Sequence, residues 1–355
     1  MRWENLYVAG LGAYLPEQVY TAEQAVADGV YGAGECEANG YRAVRVAADH
    51  ETGPVMAAAA GRQAVERSGL AADDFDLVVH ASVGHQGQDV WTPAHYVQNE
   101  AVGGNGAALE VRQGSNSGLA AVEVAASWIA ARQGGASRTE SGGATAALVT
   151  TGDAFKLPYW DRWKADEQVV YGDGAGALVL STRGGFAKVR STASRADSSL
   201  EPLYRGEDAW TAAPFHDGKP VDLAARKRHW LTRHEGAYDE AIARINQNFG
   251  AVLQTALADA DTDLAGTQWF VHANMSKTIV QWGFHGALGL DPETTVYDWG
   301  LDHAHMGGGD QIIGLNRLFE TGRPKPGDLI VAAGAGIGFM WTVAVLEVLD
   351  SPQWV

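Results

Sequence analysis

The chain has 355 residues, 46% of them hydrophobic, enough for one large core or two and too many for a disordered chain. Its formal net charge of −17 sets up an acidic field that argues against nucleic acid as a partner. No apolar run approaches the roughly 18–20 residues of a membrane span, and the start around Arg2 and Glu4 is poorly built for a signal peptide, so a cytoplasmic protein is expected.

Leu6 to Gly10 reads as a short buried strand followed by a turn through Pro16. Gly10 and Gly12 hint at a dinucleotide fingerprint, but Leu15 stands where the third glycine belongs, so the motif fails. Cys36 is the one cysteine, which excludes an internal disulfide and a cysteine-based zinc site. Its neighbours Glu35 and Glu37 disfavour a thiolate, so a nucleophilic role is not expected. Pro54 to Ser68 is an Ala-rich helix, Asp76 to Ser82 a buried strand, and a further strand ends at Val111. Leu119 to Arg132 is helical, and Ala146 to Gly152 is again a strand. Gln168 to Ser181 is a glycine-rich turn running into a strand, and residues 182–235, polar and carrying Pro202 and Pro220, read as irregular. A long helix spans Glu235 to Ala260, a strand Gln268 to Asn274, and a last strand Leu329 to Val348 is interrupted at Gly334 to Gly338.

Strands alternating with helices argue for an α/β fold. The turn-then-strand pattern from Gly172 echoes the one from Gly334, as if each closed one half of the chain. One basic cluster, Arg226 to His234, breaks the acidic background; it reads either as a solvated helix face or as a docking patch for an acidic carrier protein or coenzyme phosphates.

Ser115 follows a strand and precedes a helix, where free N–H groups and a positive dipole end suit a nucleophile whose attack creates an oxyanion. A plain N-cap serine explains the same position. The pattern is not the hydrolase elbow, since Gln113 and Ser117 stand where its glycines belong. His305 and Asp310 are separated by a turn containing Gly307, Gly308 and Gly309, a backbone flexible enough for an acid to reach an imidazole. A serine hydroxyl needs such an oriented base. His303 is the competing imidazole, and an incidental histidine in a structural turn is the alternative reading. His272 and Asn274 end a strand and offer hydrogen bonds to a thioester oxygen, unless His272 is a core histidine. Asp302, His303, His305 and Asp310 match no metal-ligand spacing, so no metal is expected. Trp160, Arg162 and Trp163 read as a channel mouth where rings stack on an adenine and a guanidinium meets phosphate, or else as surface packing.

Four segments together resemble the ketoacyl-ACP synthase III branch of the thiolase superfamily over essentially the full length. They are Val8 to Pro16, Gly40 to Ala47, the Tyr171-Gly-Asp-Gly-Ala run, and Gly334 to Trp341. The resemblance implies a five-layered αβαβα fold built from two similar halves, residues 1–183 and 184–355, each a mixed five-stranded sheet, and a homodimer. In it Ser115 falls at the nucleophilic Cys, His305 at the Asn, and His272 near the family His. The Ser115, His305, Asp310 pattern is similar to synthase-III-like tailoring acyltransferases of natural-product pathways. That subgroup implies an acyl group moved from a coenzyme A or carrier-protein thioester, through an acyl-serine, to a hydroxyl or amine acceptor, with no cofactor. N–H groups near Gly338, together with His272, would hold the oxyanion. A starter-unit ketosynthase and a non-catalytic carrier-protein partner are the alternatives.

Overall fold

The computed structural model of the chain describes residues 1–134, 145–213, 215 and 217–354. Eleven strands form in chain order: β1 Tyr7–Tyr14, β2 Val19–Thr21, β3 Ala43–Arg45, β4 Phe75–Ala81, β5 Ala107–Val111, β6 Ala146–Asp153, β7 Gly174–Ser181, β8 Ala187–Ala196, β9 Trp269–Val271, β10 Leu329–Gly336 and β11 Met340–Val348. Nine of them make one sheet in the order β5-β4-β6-β7-β1-β8-β11-β10-β9, and β2 pairs with β3 alone.

The order repeats. Read outward from the centre, β1-β7-β6-β4-β5 and β8-β11-β10-β9 follow the same plan, with antiparallel pairs nearest the centre and parallel pairs outermost. The two groups join where β1 meets β8 at Tyr7↔Lys188 and Val8↔Ala187. The second group has four strands among the described residues, not the five expected. After β9 the chain breaks into short helical turns, including Lys277–Val280 and Tyr297–Gly300, where the first half places β5.

The strands β6 and β7 are buried at every position, which is why they read as apolar over Ala146 to Val149 and Gly174 to Leu180. The helix Ser117–Gly134 touches strands of both groups and packs against the helix Asp310–Glu320. Leu119, Val122 and Ile129 meet Ile312, Leu315 and Phe319 in the same core as Leu77 and Ile330. The helix Gly53–Ser68 covers β1, β6 and β7 from outside, and Ala237–Asp259 covers β8 and β11. The result is helix, strands, paired central helices, strands, helix: the five layers expected.

Gly10 and Gly12 have a packing purpose. A Cβ on either would sit 2.0 Å from the Ala64 carbonyl oxygen or 2.2 Å from that of Ala60, so glycine lets the outer helix lie directly on β1.

One element in the stretch expected to be irregular is a ten-residue strand, β8. Its buried face uses Ser191 and Thr192 beside Val189 and Ala193, so no apolar alternation marks it. The Ser191 hydroxyl is satisfied at 2.6 Å by the Ala256 carbonyl of the covering helix. The last expected strand is two, β10 and β11, paired antiparallel across a turn at residues 337–339.

Candidate active site

The chain leaves β5 at Val111, turns through Gly114 at φ +53°, and enters the helix at Ser117. Ser115 therefore stands two residues before the helix. Asn116 pins the turn, its side-chain N–H donating at 2.9 Å to Thr342 Oγ1 of β11. The backbone N–H groups of Ser115 and Gly338 donate to no backbone carbonyl among the described residues.

Ser115 Oγ lies 2.6 Å from His305 Nε2, and His305 Nδ1 lies 2.6 Å from Asp310 Oδ2. The three residues singled out in the sequence thus meet, across a separation of 190 positions. With Nδ1 facing a carboxylate, the ring proton sits there and Nε2 offers its lone pair to the serine hydroxyl. Asp310 is fixed on every side. Its Oδ2 also accepts from the Asn274 backbone N–H at 2.7 Å, and its Oδ1 from the Met306 backbone N–H at 2.8 Å. It opens the helix Asp310–Glu320, where the dipole favours a negative charge.

His305 is held by its backbone as well as its ring. Its N–H donates to the Val170 carbonyl at 3.0 Å and its carbonyl accepts from Gly172 N–H at 3.0 Å, an isolated bridge between Tyr171 and His305. The rings of Tyr171 and His305 are 5.5 Å apart. The Gly172-Asp-Gly run is therefore the clamp that holds the histidine segment. Asp173, fully buried, accepts from the N–H groups of Ala47 and Phe155 and from Arg162 at 2.8 and 3.1 Å. The triple glycine fits a space no larger side chain would share: a Cβ on Gly308 would meet Ser117 Oγ at 2.0 Å.

Several expected site residues stand elsewhere. The ring of His272 stacks on Phe284 at 4.6 Å and neighbours His285 and Tyr297, with no hydrogen bond to the serine. Its Nδ1 proton goes to the Ala273 carbonyl at 2.8 Å, and burial pushes its pKa down to about 4. A neutral ring so arranged carries only a lone pair on Nε2 and has no proton to give an oxyanion. Asn274 is a brace for Asp310 rather than a substrate ligand, its side-chain N–H donating to the Ala304 carbonyl at 3.0 Å. His303 stacks on Trp299 at 3.9 Å and bonds its carbonyl, so His305 is the imidazole the serine meets.

The aromatic and basic trio is likewise internal. The Arg162 guanidinium is spent on Asp173 and on the Tyr171 and Arg45 carbonyls, leaving no donor set for a phosphate. Trp160 packs with Phe155 and Tyr171 behind His305, and Trp163 with Tyr20 and Tyr31. The trio keeps one exposed aspect, lining a cavity of about 500 Å³ with Tyr20 and Lys156. The cluster Arg226 to His234 is neutralised from within: Arg226 pairs with Asp208, Lys227 with Asp166, Arg228 with Glu167, His229 with Glu207, and Arg233 and His234 with Glu240. It is not the free basic patch the sequence offered. Cys36 has its thiol pKa raised by burial, not by the flanking glutamates.

One buried carboxylate beside the site was not foreseen. Asp153 accepts from the N–H groups of Val83 and Gly84 at 2.8–3.1 Å, and burial nonetheless pushes its pKa up to about 7. The folded state therefore binds this proton more tightly than the unfolded chain, whose Asp titrates near ~4. Stability from this group is highest below ~pH 4, falls as pH rises through about 7, and is level above. Between pH 5 and pH 8 in urea denaturation the buried neutral histidines His80 and His272 change both proteins alike, so the wild type is expected to fare worse than Asp153→Asn by on the order of a few kcal/mol. Identical pH dependence in the two proteins would refute it.

A cavity of about 400 Å³ opens against Gln113 and Gly114, the residues just before the serine, and neither Ser115 nor His305 lines it. Ser82, Val83, Arg112, Gly114, Ser198 and the segment Ile337 to Met340 are among its walls, so Gly338 is at its edge as expected.

Comparison with known proteins bears on this geometry. Residues 257–348 match the sequence family described as 3-oxoacyl-(acyl-carrier-protein) synthase III C terminal. Beta-ketoacyl-(acyl-carrier-protein) synthase III of Rhizorhabdus wittichii is 29% identical over 96% of this chain and 98% of its own. Its counterpart from Hyphomonas neptunium is 28% identical over the same shares. Among solved structures, ChlB3, an acyltransferase by name, superposes with a TM-score of 0.89 at 32% identity, covering 99% of this chain and 100% of its own. The 3-oxoacyl-(acyl-carrier-protein) synthase III of Aquifex aeolicus gives 0.75 at 19% identity, covering 96% and 99%.

Proposed function

The chain belongs to the ketoacyl-ACP synthase III family of the thiolase superfamily, and from that premise we propose that it is an acyltransferase working through an acyl-Ser115 intermediate. The observation that carries the proposal is the unbroken line from Ser115 Oγ to His305 to Asp310, with both links at 2.6 Å.

In the first half-reaction Ser115 Oγ attacks the thioester carbonyl while His305 Nε2 takes its proton. The carbonyl oxygen becomes an oxyanion, to which the free N–H groups of Ser115 and Gly338 are the available donors. The carbon–sulfur bond then breaks, and His305 returns the proton to the thiolate. In the second half-reaction the same Nε2 deprotonates an incoming hydroxyl or amine, which attacks the ester and restores the serine. Asp310 holds the ring in one tautomer and balances its charge throughout. No cofactor enters either step. The donor is a coenzyme A or carrier-protein thioester, and the acceptor a small molecule of a natural-product pathway. The fold is taken as two halves, 1–183 and 184–355, in a cytoplasmic homodimer, for which the unpaired outer edge of β5 gives support.

Histidine at 305 also bears on the second reading, a decarboxylative condensation of the kind named in the relatives. An enolate needs hydrogen-bond donors, and here the imidazole is committed to a carboxylate on one side and a hydroxyl on the other. The test is intact mass after incubation with acyl thioesters, with Ser115→Ala alongside. A mass increase equal to the acyl group, absent from the variant, is expected. Failure of every donor to label the wild type would overturn the proposal. Release of carbon dioxide from a malonyl thioester coupled to product would replace it with condensation.

A further inference from the structure

The cavity beside the Ser115 turn has an exposed cation in its wall, whose charge is felt by the buried Asp153 behind Val83. Arg112 lines it three residues before the serine, and its one hydrogen bond is Nη2 to the Val83 carbonyl at 2.9 Å. It forms no ion pair among the described residues. The rest of the wall divides by chemistry. Ile337, Phe339 and Met340 are apolar, whereas Ser82 and Ser198 add hydroxyls. A space of about 400 Å³ is at the small end for an organic ligand, room for a short chain or one ring.

We propose that this cavity receives the acyl group, and that Arg112 selects acyl groups carrying a distal carboxylate: half-thioesters of short dicarboxylic acids. The stem of such a group lies on the apolar wall while its carboxylate takes the guanidinium fork, the geometry in which Arg binds a planar anion best. The inference rests on Ser115 as the acylated residue.

Three N-acetylcysteamine thioesters of matched length separate the two ideas: succinyl, butyryl and 3-aminopropanoyl. The readout is the second-order rate of Ser115 acylation by intact mass, with no acceptor present, so that only the first half-reaction is measured. Wild type is expected to favour succinyl over butyryl by about threefold, the order of an exposed ion pair, because Arg112 is exposed. Arg112→Gln brings that ratio to about one, Arg112→Lys retains part of it, and Arg112→Glu turns the preference toward 3-aminopropanoyl. Thermal melts of each variant show that the fold is kept. A wild type without preference for succinyl, or a ratio that survives Arg112→Gln, overturns the inference while leaving Ser115 as nucleophile. Absence of any adduct overturns both.

Discussion

Replacing Asp310 by Asn is expected to slow acylation of Ser115 roughly a thousandfold or more, by analogy with other oriented imidazoles whose carboxylate is lost. The reason lies in the four donors around that carboxylate. His305 Nδ1 and the backbone N–H of Asn274 converge on one oxygen, and the N–H of Met306 and, at 3.5 Å, the side-chain N–H of Asn274 point at the other. An amide cannot accept on both sides. If its oxygen faces His305, its NH2 group opposes the Met306 N–H. If it turns over, NH2 faces His305 Nδ1 and forces the proton to Nε2, where the ring can no longer act as base. Either way one buried donor loses its acceptor, which costs about 1–3 kcal/mol of stability. The check is the single-turnover acylation rate, with the circular dichroism melt establishing that the variant folds. A rate within about threefold of wild type would mean that Asp310 does not orient the base, and the triad would fall.

Gly172→Ala is expected to damage both stability and activity. An added methyl would lie 2.0 Å from the His303 carbonyl oxygen, with the Arg45 backbone nitrogen 3.7 Å away on another side. The backbone has to move, and the segment nearest to hand is the one carrying His305. The pair of hydrogen bonds joining Val170 and Gly172 to His305 would open, each worth about 1 kcal/mol, on top of about 1–3 kcal/mol for overpacking. A shift of even ~1 Å at the base costs on the order of a hundredfold in rate. Gly250→Ala is the matched control. It lies in the helix Ala237–Asp259 with open space where its methyl would go, and alanine there should stabilise by up to ~1 kcal/mol. Wild-type acylation kinetics in Gly172→Ala would show that the bridge is dispensable.

The sequence was most legible where burial leaves a compositional mark. Fully buried β6 and β7 are nearly unbroken apolar runs, and the long outer helix shows its period. The strand β8 left no such mark because small hydroxyl residues, Ser191 and Thr192, interrupt its buried positions, Ser191 bonding to the covering helix. The site followed the same logic. Ser115, His305 and Asp310 were visible because nucleophile, base and orienting acid are rare in combination with glycine-rich turns. Their supports were not, since the bonds that fix Asp310 come from backbone N–H groups, and any residue at 274 or 306 supplies one. The surroundings of His272 were not legible, since only the fold stacks its ring on Phe284 beside His285 and Tyr297. Arg162 was misread because a residue able to bind phosphate is equally able to bind Asp173, and only the fold brings that partner near.

The bridge between Tyr171 and His305 also decides what a broken molecule can do. The serine belongs to the part of the chain that builds β1 and β4 to β7, and the histidine and aspartate to the part that builds β8 to β11. Proteolysis in the connection between β7 and β8, followed by separation, leaves one fragment with an inert alcohol and another with an imidazole and nothing to activate. On the proposed mechanism a clipped copy therefore has no activated serine, and acylation is expected to return only when the two pieces re-associate. The same division makes the chain a natural split reporter, in which acylation measures reassembly.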